Sequence, residues 1–216
     1  GTSGTAVGHN ANAFGNVSTA VGTGSIASGN SSSAFGDDAR ATGNDSTALG
    51  QGSRATDTQA TATGFSAEAT GTQSTATGSE SVASGFRSTA NGYGAQATNQ
   101  GATAGGAYSA ASGYRATANG YNSTASGANA FAGANGASAG TTNSTALGNQ
   151  SSVSASGAGA NANSGIALGD NAAVQASGLN ANAANGIAMG TSADVRANGA
   201  NATAANGVAM GTDSQV

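Results

Sequence analysis

Cysteine, proline, lysine and tryptophan are all absent from this 216-residue sequence. Without cysteine there is no disulfide and no thiolate metal site, a composition that suits a chain crossing a membrane unfolded. Positive charge is scarce: five arginines, widely scattered, stand against nine acidic residues for a net charge of −4. That excludes a nucleic-acid groove and a polybasic membrane patch. No apolar run approaches the ~20 residues that span a bilayer, and no signal peptide opens the chain. The segment therefore reads as a piece cut from a longer protein, touching a membrane only through a C-terminal anchor outside it. Five Phe and four Tyr are too few for a large conventional core, and 14 charged residues too few for a self-repelling disordered tail.

What the chain has instead is a repeat. Stepping by seven from Ala6 meets Ala13, Ala20, Ala27 and so on to Ala209, and of these 30 positions 27 are Ala and three are Val (Val153, Val174, Val195). With this position called zero, position −2 is Ala, Ser or Gly at 29 of 30 places, Leu179 being the exception, and position +2 is Gly at 20 of 30. Asp57 and Asn99 replace two of those glycines. Both tolerate positive φ, so the +2 sites read as left-handed or tightly turned backbone.

A period of seven does not mean a coiled coil here. That structure needs two large apolar residues per heptad on good helix formers, and a glycine nearly every two turns costs a helix about 1 kcal/mol each relative to Ala. Collagen needs glycine at every third residue, usually with proline. The pattern that fits is alternation, with small residues at −2, 0 and +2 sharing one face of a strand. Charge placement agrees, because of those 90 sites only Asp57 is charged. The small face is therefore the interior, and the interior is narrow. A five-residue strand and a two-residue corner fill each heptad. Two strands back to back close a 14-residue turn, and turns stack at ~4.8 Å.

The two strands of each turn differ. In alternate heptads the −1/+1 pairs are Thr5/Val7, Thr19/Val21, Ser33/Phe35, Thr47/Leu49, Thr61/Thr63 and Thr75/Thr77, none charged, whereas the intervening heptads place Arg40, Arg54 and Glu68 at −1. One outer face is uncharged and partly apolar on a roll already filled by alanine, which implies a partner surface. Ordering a residue costs ~1–2 kcal/mol, while an alanine methyl returns ~0.8 kcal/mol and a ladder hydrogen bond ~1 kcal/mol. A lone roll is near break-even, and self-association supplies further burial. The seam candidates are Val7, Val21, Phe35, Leu49, Leu147, Leu168, Met189 and Met210.

The last section changes period. Ala146-Leu147-Gly148 recurs as Ile166-Ala167-Leu168-Gly169, Ile187-Ala188-Met189-Gly190 and Val208-Ala209-Met210-Gly211, a spacing of 21 residues, while the alanine phase of seven persists. The organisation read here is 14-residue turns over 1–127 and a continuing roll with a 21-residue repeat over 128–216, the simplest account being a wider coil with three short faces per turn.

Asn143-Ser144-Thr145-Ala146-Leu147-Gly148-Asn149-Gln150-Ser151 resembles the repeat of the YadA-type head of trimeric autotransporter adhesins, roughly Asn-Ser-x-Ala-x-Gly-x-x-Ser, throughout. Ser18-Thr19-Ala20-Val21-Gly22-Thr23-Gly24-Ser25 and Ser46-Thr47-Ala48-Leu49-Gly50-Gln51-Gly52-Ser53 match apart from the first residue. About thirty half-repeats carry the resemblance along essentially the whole chain. It implies an all-β, left-handed parallel β-roll (solenoid) of 14-residue turns, assembled as a homotrimer and displayed outside a Gram-negative outer membrane. It also implies binding to host extracellular matrix proteins such as collagen, or to cell-surface receptors. The chain departs from the family at Thr61-Ala62-Thr63 and Thr75-Ala76-Thr77, where the family favours larger apolar residues, and in its 21-residue section. The repeat reads as head throughout, and no stretch of it resembles the family's neck, coiled-coil stalk or membrane anchor.

No cofactor, metal or catalytic site is expected. His9 has no identifiable acid or nucleophile to work with and reads as a surface residue. Asp37, Asp38 and Asp45 lack the Gly-Gly-x-Gly-x-Asp run of calcium-binding β-helices and read as solvated loop carboxylates near Arg40. The glycines form no phosphate-cradling motif. The aromatics are more informative. Phe65, Phe86, Tyr93, Tyr114 and Tyr121 all follow the +2 position, and Gly85-Phe86-Arg87-Ser88-Thr89-Ala90-Asn91-Gly92-Tyr93 returns as Gly113-Tyr114-Arg115-Ala116-Thr117-Ala118-Asn119-Gly120-Tyr121. Phe86, Arg87, Tyr93, Tyr114, Arg115 and Tyr121 are thus ligand-contact candidates at the corners; the alternative is that they pack on neighbouring corners or line the subunit seam. The function classes left are an adhesive head, a passive spacer carrying another binding tip, an ice-binding solenoid built on the Thr61/Thr63 and Thr75/Thr77 ladders, and, against the phase argument, disorder.

Overall fold

The structure is a computed structural model that describes all residues, Gly1–Val216. It is all-β, every paired strand is parallel, and it divides into two compact units, Gly1–Tyr108 and Ser109–Val216.

In the first unit, strands alternate between two sheets. One holds Thr5–Val7, Thr19–Val21, Ser33–Phe35, Thr47–Leu49, Thr61–Thr63, Thr75–Ala76, Thr89–Ala90 and Thr103–Ala104; the other holds Asn12–Ala13, Ile26–Ala27, Arg40–Ala41, Arg54–Ala55, Glu68–Ala69, Val82–Ala83 and Gln96–Ala97. Every pairing is offset by 14 residues, as in Thr19↔Ser33 and Arg40↔Arg54. This is a parallel β-roll. Its strands are two or three residues long rather than five, because the backbone bends at each +2 site and again at the corner.

The interior is as narrow as the alternation requires. Ala20, Ala27, Ala34, Ala41 and the alanines that follow in phase are fully buried, and so are the −2 residues Ser18, Ser25, Ser46 and Ser53. A buried hydroxyl needs a partner. It finds one locally: Ser18 Oγ donates to Gly15 O at 2.7 Å and Ser46 Oγ to Gly43 O at 2.7 Å.

Each corner has a left-handed residue at +4, and at +2 the glycines Gly8, Gly22, Gly36, Gly50 and Gly64 also have positive φ, 130–134°. Ser31, Asp38, Asp45 and Gln59 have φ of 55°, 54°, 55° and 57°. At +2 glycines without positive φ, such as Gly15, Gly29 and Gly43, the glycine is needed for clearance. A Cβ on Gly15 would stand 1.9 Å from Gly29 O in the next coil. Asp57 and Asn99, read above as positive-φ substitutes, do not adopt positive φ. Their side-chain oxygens instead accept the following N–H, Thr58 N at 2.7 Å and Gln100 N at 2.8 Å. Coil-to-coil bonds at +4, such as Asp38 N to Thr23 O at 2.8 Å and Gly52 N to Asp37 O at 2.8 Å, offset the conformational cost that falls there.

The second unit begins with the same geometry and then widens. Phe131↔Thr145 and Ser138↔Ser152 are 14 residues apart, whereas Thr145↔Ile166 and Ser152↔Ala173 are 21 apart. Each wide coil pairs a three-residue strand (Ile166–Leu168, Ile187–Met189), a five-residue strand (Ala173–Ser177, Asp194–Asn198) and a third face held by the bridges Asn161↔Asn182 and Asn182↔Thr203. The larger interior takes Val153, Val174 and Val195, all fully buried, with Ala162, Ala181 and Ala183 beside them. Where the third face starts, buried Thr141 stands at a +2 site and its hydroxyl donates at 2.9 Å to Ala162 O, which also accepts from Gly165 N at 3.2 Å.

Candidate binding surfaces

The seam candidates form two apolar ribs, one in each unit. In the first unit the parallel register stacks Val7 on Val21, Val21 on Phe35 and Phe35 on Leu49, all pointing away from the alanine interior; Leu49 is 48% exposed. The rib then turns polar, with Leu49 paired to Thr63. In the second unit Leu147, Leu168, Met189 and Met210 stack in the same way, beside a second row of Ile166, Ile187 and Val208, and Met210 is 66% exposed. Contiguous apolar rows with no cover inside the chain are what a partner surface requires.

The aromatic candidates are exposed at the corners, and most have a neighbour. In the first unit the Arg87 guanidinium lies over the Phe86 ring, 4.9 Å from its centroid. Arg87 Nε also donates to Gln73 Oε1 at 2.7 Å, and Gln73 Nε2 to Gln59 Oε1 at 2.8 Å, so three +4 side chains form one column. Tyr93 meets Tyr108 edge-on, with centroids 5.2 Å apart and planes at 87°. The Tyr93 hydroxyl is hydrogen-bonded to Glu80, whose carboxylate, with a smaller contribution from Tyr108, holds the tyrosine pKa above its usual value. In the second unit Arg115 lies over Tyr114 at 5.2 Å, and Tyr121 is 58% exposed. Cation–π contacts at exposed sites are worth about 0.5–1 kcal/mol, enough to pre-order Phe86–Arg87 and Tyr114–Arg115 as ledges.

His9 is exposed, and Asp37, Asp38 and Asp45 do not converge with a further ligand into a metal-binding group. The charges gather in another way. Arg40, Arg54 and Glu68 stand in register on successive coils, and with Asp38, Gly52 and Ser66 they line a shallow cleft.

Sequence reasoning missed four features. Tyr108 sits at +4, one place beyond the other corner aromatics, so it did not stand out as the partner of Tyr93. Val17 occupies a left-handed site with φ of 56°, visible only once the turn is located. Thr141 is the one threonine at a +2 site, and its place just ahead of the change in period was an available signal. The cleft lies along heptads taken one at a time as solvated charge.

A scan against protein families matches the YadA head domain repeat (2 copies) at residues 1–25, 27–53, 55–81, 83–109, 111–132 and 135–151, well over half of the chain. The curated proteins it was compared with contain no match.

Proposed function

The chain belongs to the YadA head family, and from that premise we propose that it is the surface-displayed, trimeric head of an outer-membrane-anchored adhesin that binds host extracellular matrix proteins or cell-surface receptors. The observation that carries the reading is the pair of in-register apolar ribs, Val7–Val21–Phe35–Leu49 and Leu147–Leu168–Met189–Met210, on coils whose interiors are already filled by alanine and valine. These residues have no place inside the chain, and three copies packing rib to rib would hide them. The remaining surface is then presented three times, and simultaneous engagement multiplies weak contacts. Phe86, Arg87, Tyr93, Tyr114, Arg115 and Tyr121 are the contact residues of this reading. Aromatic and arginine side chains are the commonest anchors of interfaces, and the corners hold them out in solvent. The role is one of binding, without an enzymatic step.

Solid-phase binding of the purified chain to immobilised collagen, fibronectin and laminin tests the adhesive half of the proposal. Saturable binding to at least one supports it, and no binding to any of the three favours a spacer that lifts another tip.

A further inference from the structure

The cleft on the first unit has the form of a built site for a small charged group. Arg40 and Arg54 are directly opposite each other in a parallel ladder. Like charges so placed repel, yet two of the chain's five cations are spent here. Neither is well neutralised. Arg54 reaches Glu68 only at 3.4 Å and keeps its side chain 53% exposed, while Arg40 has no acidic partner within ion-pair distance. Asp38 lines the edge of the cleft on the side of the preceding coil, its Oδ1 2.4 Å from where a Cβ on Gly24 would stand. Between these groups the floor is Gly52, whose missing side chain leaves the space open, with Ser66 Oγ 3.4 Å from where its Cβ would be.

We propose that this cleft binds a carboxylated sugar, its carboxylate held by Arg40 and Arg54 and its hydroxyls donating to Asp38 and Glu68. A carboxylate placed between two guanidinium forks accepts charge-assisted hydrogen bonds from both and removes their repulsion. The two flanking carboxylates can only accept, so the ligand must present donors on either side of its anionic group. Chloride and sulfate have none, and an acidic pyranose has several. Uronic acids and sialic acids share this chemistry. The inference rests on the adhesive reading above and gives that reading a ligand class and a face.

Isothermal titration of the full chain with a hexasaccharide containing glucuronate, with its carboxyl-reduced form and with a sialylated trisaccharide tests it. Binding of at least one acidic probe is expected, and which one binds identifies the source. The carboxyl-reduced form should not bind. Arg40→Gln and Arg54→Gln should each weaken binding about tenfold or more, the range of a charged hydrogen bond, and Arg196→Gln, in the second unit and outside the cleft, should leave it unchanged. Gly52→Asn places a side chain on the floor at a φ of 65° that Asn tolerates, so it should abolish binding while the chain keeps its β-rich circular dichroism. No binding of either acidic probe, equal binding of the reduced form, or indifference to both Arg40→Gln and Gly52→Asn in folded protein overturns the assignment. If the sugars fail while matrix proteins are still bound, the cleft assignment falls and the adhesive reading stands. If the sugars bind and no matrix protein does, the cleft stands and matrix-protein adhesion falls.

Discussion

Gly186 stands against Val174. A Cβ built on the glycine would lie 2.9 Å from Val174 Cγ1, and equally 2.9 Å from Val195 Cγ1. Gly165 faces Val153 and Val174 in the same way, at 2.8 and 3.0 Å. The valines at the zero position and the glycines at −2 in the wide coils are therefore one feature. Where the zero position grows from Ala to Val, the −2 position of the following three-residue strand shrinks to Gly. Gly186→Ala overpacks this interior and is expected to lower stability by about 1–3 kcal/mol. Adding Val174→Ala and Val195→Ala should return part of that loss. Urea unfolding of the wild type, Gly186→Ala, the Val174→Ala/Val195→Ala variant and the triple variant closes the cycle and measures the coupling, and strict additivity would contradict the packing account.

Val17 is a β-branched residue in left-handed backbone, φ 56°, with 65% of its surface exposed. The equivalent corner sites carry Ser31, Asp45, Gln59 and Gln73. Val17→Asn should raise stability by about 1 kcal/mol by relieving the clash of Cβ with the backbone. A thermal midpoint that stays put or falls would show that the valine is held there by something other than strain.

Buried serines of one repeat position should respond differently. Ser46 Oγ donates to Gly43 O at 2.7 Å, whereas Ser74 Oγ is buried without a hydrogen-bond partner. Ser46→Ala is expected to cost about 0.5–1.5 kcal/mol, and Ser74→Ala to be neutral or mildly stabilising. Equal losses at the two sites in chemical denaturation would count against this distinction.

The ribs make oligomeric state the test of the seam. Multi-angle light scattering should give the mass of three chains for the wild type, and Leu49→Asp with Met189→Asp should shift it toward one. Buried in a seam, each aspartate would be an unpaired charge. A wild type that runs as a monodisperse monomer would leave the ribs without their proposed cover.

Asp194 supplies a pH dependence. Burial raises its pKa above the usual carboxylate value, and the pairing with Arg196 at 2.6 Å offsets this only in part. The folded chain thus holds the proton more tightly than the unfolded chain. The stability from that proton is fully present below the unfolded pKa and is lost as pH rises through the folded one. Asp194→Asn removes the titration, so its stability relative to wild type should improve as pH is raised from 3 toward neutrality. A difference independent of pH would mean that Asp194 titrates as it does in the unfolded chain.

Period and polarity sufficed for much of the fold. Alanine every seventh residue, small partners two places to each side and charge kept off all but one of those sites leave only a narrow-cored parallel roll, because no helix can place three small residues at alternate positions on one side. The uncharged face followed from the same count. What the sequence did not reveal was where the chain turns. Glycine at +2 looked like a conformational requirement; it is one where φ is positive, as at Gly22 and Gly36, and elsewhere, as at Gly15 and Gly29, it is a clearance requirement, since the backbone of the next coil occupies the space of its Cβ. The left-handed corner at +4 is Gly, Asn or Asp at 18 of 30 repeats but also accepts Gln, Arg and even Val, so its mark in the composition is weaker than that of the +2 glycine.

By itself, then, the amino-acid order determined the coil, its filling and its bare apolar rows, all consequences of side-chain size at a fixed step. Only the tertiary structure decided which side chains become neighbours across coils: Gly186 with Val174, Thr141 with Ala162, Tyr93 with Tyr108, and Arg40 with Arg54 over the open floor of Gly52. Those meetings depend on the bend of each corner and the direction in which each side chain leans. Neither is encoded in a repeat whose every unit reads nearly the same.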